Sequence, residues 1–254
     1  MSGVRIERDG RLALLRLDKA RGNAIDEPLA EALAEAAAEL ARDDGVTGVL
    51  LASAHPKLFC PGLDLVALAG YDRPAMERFM TSFGVTMWAL YGLAKPVVAA
   101  VSGAAVAGGC ILALCADYRL LRRGAPIGLN EVKVGVPLPW SVTRLLRASV
   151  PPQALARIAL LGRNFSDEEA LGVGLADELA ASDGFEAACR ARLEEFTDKD
   201  PRALATTKAW LREGVLAEMM AHERERLPAF LDGWFSPGTQ ERIQATVASL
   251  KAKS

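Results

Sequence analysis

Three places in the chain hold residue types that suit chemistry at a carbonyl. The first is Ala107-Gly108-Gly109-Cys110, where a small-residue stretch gives way to an amphipathic segment. A strand that ends in a glycine turn and opens a helix leaves unpaired N–H groups at a positive helix terminus. Such a terminus seats a bound anion or an oxyanion that develops during reaction. The second place, Pro61-Gly62-Leu63-Asp64, repeats the arrangement, with Asp64 able to cap or complement the helix that follows. The third is Glu131, which closes the apolar piece Ile127-Gly128-Leu129-Asn130. Taken alone it reads as an ordinary surface carboxylate, although neighbours such as Ile127, Leu129 and Val132 are of the kind that raise a carboxyl pKa and make it a better base.

Other reactive groups offer less. His55 and His222 are the only histidines, and neither has the spacing of a nucleophile–base pair. His55 reads as an exposed polar loop residue. Cys60, Cys110, Cys115 and Cys189 lack metal-ligand spacing and read as reduced, packed thiols, Cys110 included despite its place at a helix start.

The elements that must position these groups follow from local signals. Asp9-Gly10 between two apolar runs predicts a hairpin of Val4 to Glu7 with Leu12 to Leu17. Asp26 is placed to cap a helix that runs to about Leu40, and Val46 to Ala52 reads as a buried strand. Ser53 to Gly62 reads as a loop, with a helix starting near Leu63-Asp64. Pro74 to Lys95 predicts a long helix whose Met and aromatic stripe packs into the core. Pro96 to Val101 and Asp117 to Leu121 read as parallel strands around the helix at Gly108. Gly135 to Pro139 reads as a loop, Trp140 begins a mainly helical region, and one short strand is expected near Leu175 to Leu179. The pattern turns purely helical near Thr197 to Pro201, which divides the chain into a core, 1–198, and a helical C-terminal subdomain, 199–254.

Composition narrows the partners. The 254 residues are 51% hydrophobic and carry a net charge of −2, so a large core is available. Nothing here draws the chain electrostatically to nucleic acid or an anionic membrane. No apolar run approaches the roughly 20 residues of a membrane span, no signal peptide is visible and the K-A-K-S ending is not a peroxisomal signal, so a cytoplasmic location is expected.

Three stretches carry a family resemblance: G-V-L-L-A-S-A-H-P-K-L-F-C-P-G-L-D-L, A-V-S-G-A-A-V-A-G-G-C-I-L-A-L-C-A-D-Y-R and I-G-L-N-E-V-K-V-G-V-P-L-P-W. In this order and spacing they resemble the crotonase (enoyl-CoA hydratase/isomerase) superfamily, from Leu17 to about Gly174. The resemblance implies an α/β fold, a spiral of ββα units with a helical C-terminal region, assembled as a homotrimer or dimer of trimers. It implies a CoA thioester as substrate and no separate cofactor or metal. The thioester oxygen would lie between the backbone N–H groups of Leu63 and Gly108. One fixed donor of that kind is worth about 2.7–4 kcal/mol of barrier.

The same resemblance implies that Phe59, Gly62, Ile111, Pro139 and Trp140 help to bind or shape the acyl-CoA site, although Trp140 is equally readable as a core residue at a helix start. Arg21 and Lys57 would meet the CoA portion, and Lys251 or Lys253 could reach a phosphate. Hydratases of the family pair two glutamates, one where Glu131 stands and one where this chain has Ile111. Ile111 cannot ionise or orient water. The text around Glu131 is most similar to Δ3,Δ2-enoyl-CoA isomerases, which work with a single glutamate. That activity, in fatty-acid catabolism, is the expectation. A hydratase working with Glu131 alone, or an acyl-CoA-binding protein without turnover, is the alternative.

Overall fold

The structure, a computed structural model, describes residues 3–20 and 22–252. Gly10, with φ +58°, turns β1 (Val4–Asp9) back onto β2 (Leu12–Leu17) in an antiparallel hairpin. Asp26 accepts the Leu29 N–H and starts α1 (Glu27–Arg42), whose buried Leu29, Leu33 and Leu40 recur at helical spacing. β3 (Gly48–Ser53) joins a large sheet and β4 (Leu58–Cys60) a small one, before α2 (Leu65–Leu68) and α3 (Arg73–Tyr91). β5 (Val97–Val101), β6 (Ala104–Val106) and α4 (Gly108–Leu114) repeat this ββα pattern. β7 (Tyr118–Arg122) and β8 (Ile127–Gly128) repeat it again, followed by a 3-10 turn at Glu131–Val134 and α5 (Trp140–Ser149). α6 (Leu155–Ala159), α7 (Asp167–Val173) and β9 (Glu178–Ala180) lead to α8 (Phe185–Thr197), α9 (Pro201–Trp234) and α10 (Pro237–Lys251).

The strands sort by position in the repeat. The large sheet has the order β1-β2-β3-β5-β7-β9, parallel except for the hairpin, and the small one is β4-β6-β8, parallel throughout. One face of the large sheet packs on the main core. The other, with Leu12, Leu14, Leu50, Val98 and Leu120, is covered by Phe185, Cys189 and Leu193 of α8. Covering both faces explains the near-continuous apolar runs of β3 and β5.

Several sequence expectations shift. The Ser53 to Gly62 loop contains β4, and the small-residue run before Gly108 contains β6. Both strands are three residues long, too short for an alternating pattern. The helix at Leu63-Asp64 is only the four-residue α2, with Asp64 accepting the Ala67 N–H. The expected strand near Leu175 lies at β9.

α9 starts where the composition changes, with Asp200 as its cap, and it is tied firmly to the core. Lys208 Nζ lies 2.6 Å from Asp117 Oδ2 and Arg212 Nη2 lies 2.8 Å from Asp117 Oδ1. Burial pulls the Lys208 ammonium down to about 8, against Asp117, which holds it up. Lower on α9, the buried Glu223 accepts from the Ser141 hydroxyl and backbone N–H. These contacts seat the second half of α9, with Phe230 and Trp234, against the small sheet's side of the molecule, where α10 then folds back.

Candidate active site

The small sheet delivers all three chemical features from the same edge. Parallel strands present their C-terminal ends together. β4 runs into Gly62 and Leu63, β6 into Ala107 and Gly108, and β8 reaches Glu131 after two further residues. Beyond the strands, Ala107 N–H donates to Gly128 O at 2.8 Å, so the second and third turns are bonded directly.

The two glycine turns are pressed against each other. A Cβ on Gly62, whose φ is +98°, would lie 2.9 Å from Ala107 Cβ and 3.2 Å from Gly108 N. A Cβ on Gly109 would lie 2.0 Å from Cys60 O, so only glycine permits this approach. Ala107 itself holds φ 48°, ψ −119°, a conformation costly for a residue with a Cβ. Strain at this point turns the chain so that Gly108 opens α4.

The ladder fixes where Leu63 points. Ile25 N–H donates to Gly62 O and Asp64 N–H donates to Ile25 O, each at 2.8 Å. In a parallel bridge this pairing uses the groups on either side of Leu63 and turns the Leu63 N–H away from Ile25. Gly108, first in its helix, likewise has no intrahelical acceptor. Both residues line one cavity of about 890 Å³, so it has two backbone donors in its wall.

Glu131 lines the same cavity. The residue is partly exposed, yet both carboxylate oxygens are buried and accept no hydrogen bond among the described residues. Burial pushes its pKa up to about 7, with its own backbone amide pulling the other way. An unpaired buried carboxyl poised near neutrality can take up and give back a proton. The other carboxylate in the lining, Asp64, is occupied: it caps α2 and meets Lys19 Nζ at 3.2 Å.

The structure places the remaining sequence candidates in different settings. Ile111, 3% exposed, and Pro139 line the cavity. Gly62 is buried in the turn behind the lining, and Phe59 is a fully buried core residue of β4 that does not reach it. Lys57 is exposed in the loop before β4 and lies outside the lining. Trp140 also lies outside it, with Arg144 at 4.4 Å and Arg226 at 5.1 Å from its ring. Lys251 does line the cavity, whereas Arg21 and Lys253 fall outside the described residues. Burial raises the Cys110 thiol, against any lowering at the helix start.

Other lining residues had no recognisable local signal. His55, expected as an exposed loop residue, is half-buried and lines the cavity, its Nδ1 accepting from the Lys57 and Leu58 N–H groups, each at 3.1 Å. Met80 and Phe83, expected only as core packing, form part of its wall. Phe230, Trp234, Thr246 and Leu250 arrive from α9 and α10, in the C-terminal region where the sequence offered no site residue except Lys251 or Lys253. The result is an apolar chamber with one poised carboxyl, two backbone donors and a cationic rim residue.

Comparisons with known proteins fit this geometry. The enoyl-CoA hydratase/isomerase family matches residues 7–230. The chain is 34% identical over 222 residues to a probable enoyl-CoA hydratase, EchA17, of Mycobacterium tuberculosis, covering 86% of this chain and 84% of that protein. It is 25% identical over 252 residues to the mitochondrial enoyl-CoA delta isomerase 1 of Mus musculus, covering 98% and 87%. The crystal structure of human mitochondrial delta3-delta2-enoyl-CoA isomerase superposes with a TM-score of 0.95 at 25% identity, over 99% of both chains. The fold is thus crotonase-like, and the chain belongs to the enoyl-CoA hydratase/isomerase family.

Proposed function

We propose that the protein is a Δ3,Δ2-enoyl-CoA isomerase. The observation that carries this reading is the unpaired, buried carboxyl of Glu131 in a cavity where Ile111 stands at the family's second-glutamate position. A 1,3-allylic shift needs one base. Glu131 carboxylate removes a proton from C2, and the electron pair moves into the thioester to give a dienolate. The Leu63 and Gly108 N–H groups hold the resulting oxyanion. Protonated Glu131 then returns the proton to C4, and the C3–C4 double bond becomes C2–C3. No atom is gained or lost. Phe83, Met80, Leu65 and Val66 would surround the acyl chain, and Lys251 would meet a CoA phosphate.

Hydration is the second reading, favoured by the 34% identity to a probable hydratase. It requires a water held and deprotonated near C3, a task for which Ile111 offers no polar atom. The homotrimer or dimer of trimers, the cytoplasmic location, the absence of a cofactor and the role in fatty-acid catabolism belong to the same proposal. Exposed Trp210 and Leu211 on α9 support a face there that a second copy covers.

Purified protein incubated separately with 3-enoyl-CoA and 2-enoyl-CoA decides between the readings. Appearance of conjugated absorbance from the first substrate, lost in Glu131→Gln, is expected. Hydration of the second with no conversion of the first would replace the isomerase reading, and acyl-CoA binding without either reaction would make the protein a binder.

A further inference from the structure

Among the described residues no other side chain or backbone group holds the Glu131 carboxylate. Its position is set by the backbone from which it hangs. That backbone is a tight 3-10 turn, with Lys133 N–H donating to Asn130 O at 3.0 Å and Gly135 N–H to Val132 O at 3.2 Å, and it is closed by Val136 N–H donating to Glu131 O at 3.1 Å. Gly135 ends the turn at φ 82°, and its carbonyl faces α10. There Thr239 Oγ1 donates to Gly135 O at 2.9 Å, and Ser236 Oγ donates to Thr239 Oγ1 at 2.9 Å. Thr239 is 2% exposed, so water does not readily replace it. The seat is close-fitting as well: a Cβ on Gly135 would lie 2.7 Å from Thr239 Oγ1, and one on Gly233 would lie 2.6 Å from Pro137 Cδ.

We propose that Thr239 is a positioning residue for the catalytic base, holding the Glu131 turn through the Gly135 carbonyl. The helix that carries Thr239 also lines the cavity with Thr246, Leu250 and Lys251. Seat for the substrate and support for the base are therefore one rigid element, and an acyl-CoA that settles against α10 meets a carboxyl already indexed to that helix. Only the choice of substrate for the activity assay rests on the isomerase reading, since hydration would use the same carboxyl.

The test compares Thr239→Val with wild type, and Thr239→Ala with Thr239→Ser. Each pair differs mainly in the hydroxyl, and the second avoids reliance on the fold of the Val variant. Turnover is measured on both 3-enoyl-CoA and 2-enoyl-CoA, and acyl-CoA affinity by calorimetry. The Glu131 titration is followed by carboxyl-carbon NMR, assigned with Glu131→Gln. We expect Val and Ala to lower kcat about 10- to 100-fold, the scale of a small displacement of a reacting group, with binding changed less than about threefold. We also expect their Glu131 midpoint to fall from about 7 toward the ordinary carboxyl range as water enters, while Ser keeps both properties. A reduced folded fraction would scale kcat but leave that midpoint in place. An unmoved midpoint in Val and Ala, or a Ser variant as impaired as Ala, overturns the proposal. If wild type performs only hydration, the isomerase reading fails while the same comparison on that reaction still judges Thr239. If wild type is inert, the midpoint alone judges it.

Discussion

Keeping the Glu131 carboxyl unpaired in an apolar cavity has a cost in stability that Glu131→Gln should expose. The carboxyl titrates near 7 in the folded protein against an ordinary value of 4.5. A raised carboxyl pKa favours the protonated form in the folded state, so folding is favoured at low pH and loses ground as Glu131 ionises. The difference from 4.5 to about 7, at about 1.4 kcal/mol per pH unit, amounts to about 3 kcal/mol. The loss begins above pH 4.5, in the window where the unfolded chain ionises first, and is complete a little above pH 7. Glutamine has similar shape and no charge, so it escapes this term. The variant should match wild type near pH 4 and become about 3 kcal/mol more stable by pH 8. Denaturant unfolding at fixed protein concentration, repeated across pH, measures the difference. A gap that stays constant with pH, or a variant less stable at pH 8, would refute the claim that the carboxyl is buried without a partner.

Two further substitutions probe the turns and the rim. Gly109→Ala forces a methyl to 2.0 Å from Cys60 O, where backbone must move, so a loss of more than about 3 kcal/mol is expected by denaturant unfolding; a loss under about 1 kcal/mol would mean that the turns are not pressed together. Lys251→Ala should raise KM several-fold with kcat nearly unchanged, because a phosphate contact is the same in ground and transition states; a fall in kcat at constant KM would contradict that role.

Much of the site's frame was legible because each part is a local device. Asp9-Gly10, the Asp26 and Asp64 caps and the glycine turns act over two to four residues, and the structure shows each where the sequence placed it. β4, β6 and β8 were not legible as strands, since two or three residues cannot display a period of two. Yet these are the strands that bring Leu63, Gly108 and Glu131 together. The cavity's far wall was hidden for a different reason. Phe230, Trp234, Thr246 and Leu250 lie in helices whose apolar residues have no distinct stripe, and only the anchoring of α9 through Asp117 and Ser141 decides where they land. Thr239 gave no signal at all, being one hydroxyl 104 residues from the carbonyl it holds. Lys57 and Trp140 fit a CoA site by type, and the structure sets Lys57 in the exposed loop before β4 and Trp140 beside Arg144 and Arg226, both outside the cavity lining.

Transfer of a proton from C2 to C4 by one carboxyl leaves an isotopic trace. A 3-enoyl-CoA carrying deuterium at C2 is mixed with excess enzyme in light water, and the product of one turnover is analysed by mass and position of label. The expected product is 2-enoyl-CoA with a measurable share of the deuterium at C4, because the buried Glu131 carboxyl exchanges only partly with solvent before returning it. Conversion without any label at C4, or a product that has gained water, would contradict a single-base isomerase.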